Sequence, residues 1–189
     1  MDWENDIEEC LKVLQGGGII LYPTETGWGI GCDATNETAV NKIVGLQEGG
    51  RDDRMVVLVA DEREVLKYAA SPDLALFDYL QLSRHPVAVI YEGAIGLADN
   101  LLEEDGSVTI RICNDPFCRH LIRRFRKPVV YATAAFKSEV KPVLFNEIND
   151  LVKSGVDYVV LFGQNEFDIF CPAQLIKWVS GKAEVIRHN

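Results

Sequence analysis

Apolar and polar positions change spacing along the chain from helical to extended and back. Residues 4–15 place Ile7, Cys10, Leu11 and Leu14 on one helical face, and Gly16-Gly17-Gly18 then supplies a stop and a turn. The apolar run Ile19–Tyr22 reads as a buried strand. It feeds the turn Pro23-Thr24-Glu25-Thr26, after which Gly27-Trp28-Gly29-Ile30-Gly31 begins a second short strand. Asn36 opens a second helix with Ala39, Val40, Ile43 and Val44 on one face. Residues 48–54 form a polar loop, and Met55–Ala60 is a buried strand. Asp61 with Glu64 makes a capping box for a helix over 62–69, and Ser71-Pro72 opens another that runs to about residue 82.

Val87–Tyr91 and Val108–Ile112 read as strands on either side of an acidic connection over 93–106. Asp115-Pro116 caps a helix that buries Phe117, Leu121, Ile122 and Phe125. Val129–Ala132 is a strand ending in Thr133-Ala134-Ala135, and a helix from about 145 to 153 stops at Gly155. Tyr158–Phe162 is a further strand, and Gln174–Trp178 with Glu184–Arg187 forms a hairpin around Ser180-Gly181. Strands alternating with helices predict an α/β (α+β) fold on one twisted sheet of mixed strand direction. A Rossmann arrangement is excluded, because the first strand leads to a second strand rather than through G-x-G-x-x-G into a helix.

Composition narrows this only a little. The 189 residues, 48% hydrophobic and 25% charged, suit a single domain over 1–189 with a sizeable core. A net charge of −10 argues against coating nucleic acid through bulk charge. The five cysteines include no C-x-x-C pair and are odd in number, which suits reduced thiols in the cytoplasm. No histidine has metal-ligand spacing to a cysteine pair, so no metal site is expected. No leader pattern opens the chain, and no apolar run approaches the ~20 residues that span a bilayer, so no membrane partner is expected.

Candidate chemistry gathers in three places. In the turn at 23–26, Thr24 and Thr26 offer hydroxyls, and Gly27, Gly29 and Gly31 would let backbone approach a ligand beside Trp28. Arg111 lies within an otherwise apolar strand, where it needs an acid partner or an anionic ligand. Arg119, Arg123, Arg124 and Lys127 belong to the dense basic face of the helix after Pro116, a candidate RNA contact or simply a solvated face.

The stretch Tyr22-Pro23-Thr24-Glu25-Thr26-Gly27-Trp28-Gly29-Ile30-Gly31-Cys32-Asp33-Ala34 closely resembles the signature of the YrdC/YciO-like family. Val108-Thr109-Ile110-Arg111-Ile112, Pro128-Val129-Val130 and Glu184-Val185-Ile186-Arg187 resemble later strands of the same family in the same order. The resemblance implies an open twisted mixed sheet flanked by helices, with a large concave pocket. It also implies L-threonylcarbamoyladenylate synthase chemistry, in which threonine, bicarbonate and ATP with Mg²⁺ give an adenylate and pyrophosphate for tRNA modification. Ligand-binding residues implied on this basis are Thr24, Thr26, Trp28, Arg54, Arg111, Thr133 and Arg187.

Departures from the family pattern alter that expectation. Its K-x-R positions are Gln47 and Gly49 here, with Arg51 and Arg54 as nearby substitutes, so no residue is assigned a catalytic role. The S-A-N-x-S-G loop becomes Thr133-Ala134-Ala135-Phe136-Lys137-Ser138, the P-G-P-L-T segment becomes His85-Pro86-Val87-Ala88-Val89, and P-S-T becomes Pro172-Ala173-Gln174. The expected protein binds a small anionic or adenylate-type nucleotide ligand, tRNA or double-stranded RNA, with synthase chemistry altered or weakened. The alternative is an active synthase using ATP and Mg²⁺, and a third reading is a structural partner of tRNA-modification proteins.

Overall fold

The hydrophobic runs pair into one sheet, in a computed structural model that describes residues 3–47, 55–136, 141–142, 144–165 and 171–187. The strands are β1 (Ile20–Thr24), β2 (Gly27–Gly31), β3 (Val56–Val59), β4 (Val87–Tyr91), β5 (Val108–Ile112), β6 (Val129–Thr133), β7 (Tyr158–Val159), β8 (Gln174–Val179) and β9 (Lys182–Arg187). Their spatial order is β7-β1-β2-β6-β3-β5-β4-β8-β9. β1–β7, β3–β5 and β4–β8 are parallel and the other pairs antiparallel, so the sheet is mixed as the sequence predicts. The hairpin ladder runs through Pro23, the first residue of the expected turn, to Thr24 opposite Gly27. Pro23 lies past the end of the β1–β7 pairing at Leu21, where its missing N–H leaves no ladder bond unmade.

The helices are α1 (Glu4–Gln15), α2 (Glu37–Leu46), α3 (Glu62–Tyr68), α4 (Ala75–Leu82), α5 (Pro116–Phe125) and α6 (Asp150–Gly155). α1 buries Ile7, Cys10, Leu11 and Leu14, and α5 buries Phe117, Leu121, Ile122 and Phe125, the faces read from spacing. Burying each such side chain contributes about 1.5–3 kcal/mol, enough to fix which face turns inward. The predicted caps form: Asn36 accepts from Ala39 N, Asp115 from Cys118 N, and Asp61 from Arg63 N and Glu64 N. Glu64 reaches back to Ala60 N rather than Asp61 N, one residue further than a capping box requires.

Three boundaries differ from the sequence reading, each because a polar side chain supplies hydrogen bonds that periodicity does not show. Helix α4 begins at Ala75, whose N–H donates to the Asp73 carboxylate, and not at Pro72. The segment from 145 divides into a 3₁₀ turn over Phe145–Glu147 and α6, because Asn149 caps Leu151 N and restarts the helix. β7 is short because Leu161 N and Phe162 N donate to Asp6 of α1 at 3.0 and 2.9 Å. Tyr158 adds its hydroxyl to the same buried carboxylate at 2.6 Å. Among the described residues, no helix is long and apolar enough to cross a membrane.

Candidate functional site

The β1–β2 hairpin brings its tip against the middle of the sheet. Thr24 Oγ1 accepts from Thr26 N at 3.1 Å and donates to Gly27 O at 2.8 Å, which closes the tip on itself. Gly27 sits at φ 118°, a conformation that L side chains rarely adopt, so glycine is required there. The tip is thereby rigid, and Glu25 and Thr26 project from it toward β5.

Arg111 meets them. Its side chain is 1% exposed; Nη1 donates to Thr26 Oγ1 at 2.8 Å, and Nε lies 3.3 Å from Glu25 Oε1. The guanidinium also lies 5.1 Å from the centre of the Tyr131 ring on β6. Burial pulls the Arg111 pKa down, and the Glu25 carboxylate, helped by smaller contributions from Cys113, Tyr131 and Tyr22, outweighs that pull and leaves it raised. The acid partner required by a buried arginine is therefore Glu25. Nε and Nη2 of Arg111 and Oε1 of Glu25 have no hydrogen-bond partner among the described residues, so the 3.3 Å contact is an ion pair without hydrogen-bond geometry. A buried N–H left unmade costs about 1–3 kcal/mol.

Glu25 also accepts from Cys113 Sγ at 3.0 Å, and Cys118 Sγ donates to Pro23 O at 3.1 Å. Burial pushes both thiol pKa values up, which keeps them protonated donors that brace the turn. Thr24 and Glu25 open onto a cavity of about 570 Å³, whose other walls include Arg84, His85, Asn114, Asp115 and Cys171. Burial raises the Asp115 pKa against the hydrogen bonds that its carboxylate accepts at the start of α5.

The glycines of β2 serve neighbours inside the protein. A Cβ on Gly29 would lie 2.3 Å from the Tyr131 ring, and one on Gly31 would lie 2.5 Å from the Tyr22 ring and 2.8 Å from Val130 O. Two tyrosines thus pack where the sequence suggests ligand approach. Trp28 is 2% exposed and packs against Phe145 at 4.8 Å between ring centres. Its place in the described residues is a core contact.

Of the residues expected to hold a ligand, Thr24, Thr26 and Arg111 come together. Thr133 ends β6, opposite Gly29, and its carbonyl accepts from Gln47 Nε2 at 2.8 Å. The same amide reaches Ala135 O at 3.2 Å, so Gln47 ties the end of α2 to the loop after β6. Arg187 ends edge strand β9, three places from β5, opposite Leu175. Gly49, Arg51 and Arg54 lie outside the described residues.

The basic face divides. Arg124 pairs with Glu4 at 2.8 Å and Glu8 at 2.5 Å, and Lys127 pairs with buried Asp33 at 2.6 Å. Arg119 and Arg123, with Trp3 and His120, line a smaller hollow of about 280 Å³. No group of three His, Cys, Asp or Glu residues among those described could hold a metal ion.

Comparison with known proteins settles the family. The Sua5/YciO/YrdC family model, described as telomere recombination, matches residues 12–189. The chain belongs to this family. It is 25% identical over 185 residues to a protein of Psychromonas ingrahamii named threonylcarbamoyl-AMP synthase, covering 95% of each. Its fold matches E. coli YciO with a TM-score of 0.80 at 19% identity, over 97% of this chain and 88% of that one. It also matches P. abyssi Sua5 complexed with L-threonine, with a TM-score of 0.85 at 16% identity, over 97% of this chain. The chain spans about half of that Sua5 chain, 54% of its length.

Glu25, Tyr131 and the pair His85 and Cys171 were not singled out as site residues by sequence. Glu25 had a signal, since it was the acid nearest the conspicuous threonines and Arg111 required a carboxylate. His85 and Cys171 are 86 positions apart, and no spacing rule joins them.

Proposed function

We propose that the protein binds an adenylate-type nucleotide together with a small carboxylate such as threonine in the cavity beside the β1–β2 turn. In this reading it is related to the threonylcarbamoyl-AMP synthases of tRNA modification, and its adenylation chemistry is weakened. The observation that carries the reading is Arg111: a buried guanidinium held by Thr26 and by Glu25, which lines the cavity, with Nε and Nη2 lacking a hydrogen-bond partner among the described residues. Such a donor is rigid before the ligand arrives, so little ordering cost opposes binding. Its natural acceptor is a carboxylate or phosphate oxygen.

Attack on the α-phosphorus of ATP also requires cations that offset charge on the departing pyrophosphate. ATP supplies the leaving group and brings any Mg²⁺ with it. Gln47, at one of the positions where the family carries a cation, is neutral and occupied with two loop carbonyls. The second reading is an active synthase, supported by the name of the P. ingrahamii relative over 95% of both chains. A nucleotide is favoured over RNA because Arg124 and Lys127 are already in ion pairs within the protein.

Calorimetric titration with ATP and with L-threonine tests the binding half. Arg111→Lys keeps the charge and loses the planar fork, and is expected to weaken carboxylate or phosphate binding by about 10- to 150-fold, the worth of one charged hydrogen bond. Unchanged affinity in that variant would remove Arg111 from the site.

A further inference from the structure

One pair of side chains on the cavity wall has no part in the nucleotide reading. His85, just before β4, and Cys171, just before β8, meet with Nδ1 and Sγ 3.1 Å apart. The backbone holds them there: Gln174 N donates to Pro86 O at 2.9 Å, and Cys171 N donates to Glu25 O at 3.2 Å. Both line the 570 Å³ cavity, with Arg84 beside them.

Cys171 differs from the other four cysteines. Cys10, Cys32, Cys113 and Cys118 are buried, and burial raises the pKa of each, so they are poor nucleophiles. Cys171 is partly exposed, and it alone of the five contacts an imidazole among the described residues. A thiol within hydrogen-bond reach of an imidazole has the geometry of an activated nucleophile.

We infer that Cys171 and His85 form a thiol-modification site that takes low-molecular-weight disulfides in the cavity. The proton of Cys171 Sγ passes to His85 Nδ1. The thiolate attacks one sulfur of the disulfide, a new S–S bond forms as the old one breaks, and the departing thiolate takes up the proton from the imidazolium. Cys171 is oxidised and half of the disulfide is reduced, so no further oxidant is needed. The adduct occupies the cavity at Glu25, so modification and ligand binding exclude each other; this last clause rests on the nucleotide reading above.

The test uses the full chain and glutathione disulfide, read by intact mass and peptide mapping. One glutathionyl adduct per chain is expected, at Cys171, and none in Cys171→Ser. His85→Ala is expected to slow the reaction about tenfold or more, through loss of the base. His85→Asn, which keeps a polar side chain of similar reach, should be slowed as well; circular dichroism checks that both variants are folded. No adduct in the native protein, adducts on the buried cysteines instead, or an unchanged rate in both His85 variants would overturn the inference. Saturating ATP should slow the adduct; an adduct at Cys171 that ATP does not slow supports the thiol site and counts against the nucleotide reading alone.

Discussion

Replacing Gly29 by alanine separates two accounts of the glycine-rich strand β2. If Gly29 is there to let a ligand approach, the ligand-free protein gains from the change. Its φ is not positive, and alanine at a compatible position stabilises by about 0.4–1 kcal/mol through the unfolded chain. The structure argues for the opposite sign. The new Cβ would lie 2.3 and 2.4 Å from two carbons of the Tyr131 ring and 3.2 Å from Ala132 O. The buried Arg111 guanidinium lies 5.1 Å from the centre of that ring, so moving the ring aside would also disturb this contact. Overpacking of this kind costs about 1–3 kcal/mol. For a chain of this size that lowers Tm by roughly 2–12 °C. Denaturant and thermal melts of Gly29→Ala, Tyr131→Ala and the double variant measure it. The double variant should be more stable than the sum of the two single effects predicts, by about 1–3 kcal/mol. Stabilisation by Gly29→Ala in the ligand-free protein, or strict additivity, would refute the packing argument.

Three further outcomes follow from contacts elsewhere. Asp6→Ala leaves Tyr158 Oη, Leu161 N and Phe162 N without their shared acceptor, so it should cost about 3–5 kcal/mol in a denaturant melt; an effect within 0.5 kcal/mol would contradict that anchor. Gln47→Ala should raise amide exchange in the segment after β6, whose Thr133 and Ala135 carbonyls lose their donor, and unchanged exchange there would show that Gln47 holds nothing. The Asp73 pKa is lowered by the hydrogen bonds from Trp178 Nε1 and Ala75 N. The stability it contributes is present above the ordinary carboxylate pKa of about 3.9 and is lost as pH falls through the lowered value, so the Trp178 indole N–H resonance should hold its position until below about pH 4 and Asp73→Asn should abolish the transition.

The sheet and the helix faces were legible because periodicity and burial are both local in sequence. The hairpin at 23–28, the capping residues Asn36, Asp61 and Asp115, and the need of Arg111 for an acid could all be read from residue type and spacing. What escaped depends on pairs far apart in the chain. Asp6 shortens β7 across more than 150 positions, Tyr131 explains Gly29, and Cys171 finds His85. The basic face of α5 looked free because its partners, Glu4, Glu8 and Asp33, come from other elements. Arg51 and Arg54, the expected substitutes for the missing cations, lie outside the described residues.

Pyrophosphate release tests the central claim most directly. The protein and the P. ingrahamii relative are assayed side by side with ATP, L-threonine, bicarbonate and Mg²⁺, with ATP binding measured on the same samples. Loss of two charged partners at about 1.5–3 kcal/mol each predicts that ATP still binds, while pyrophosphate appears on the order of 10²- to 10⁴-fold more slowly than with the relative. Release at the relative's rate, or no binding of ATP at all, would contradict the account.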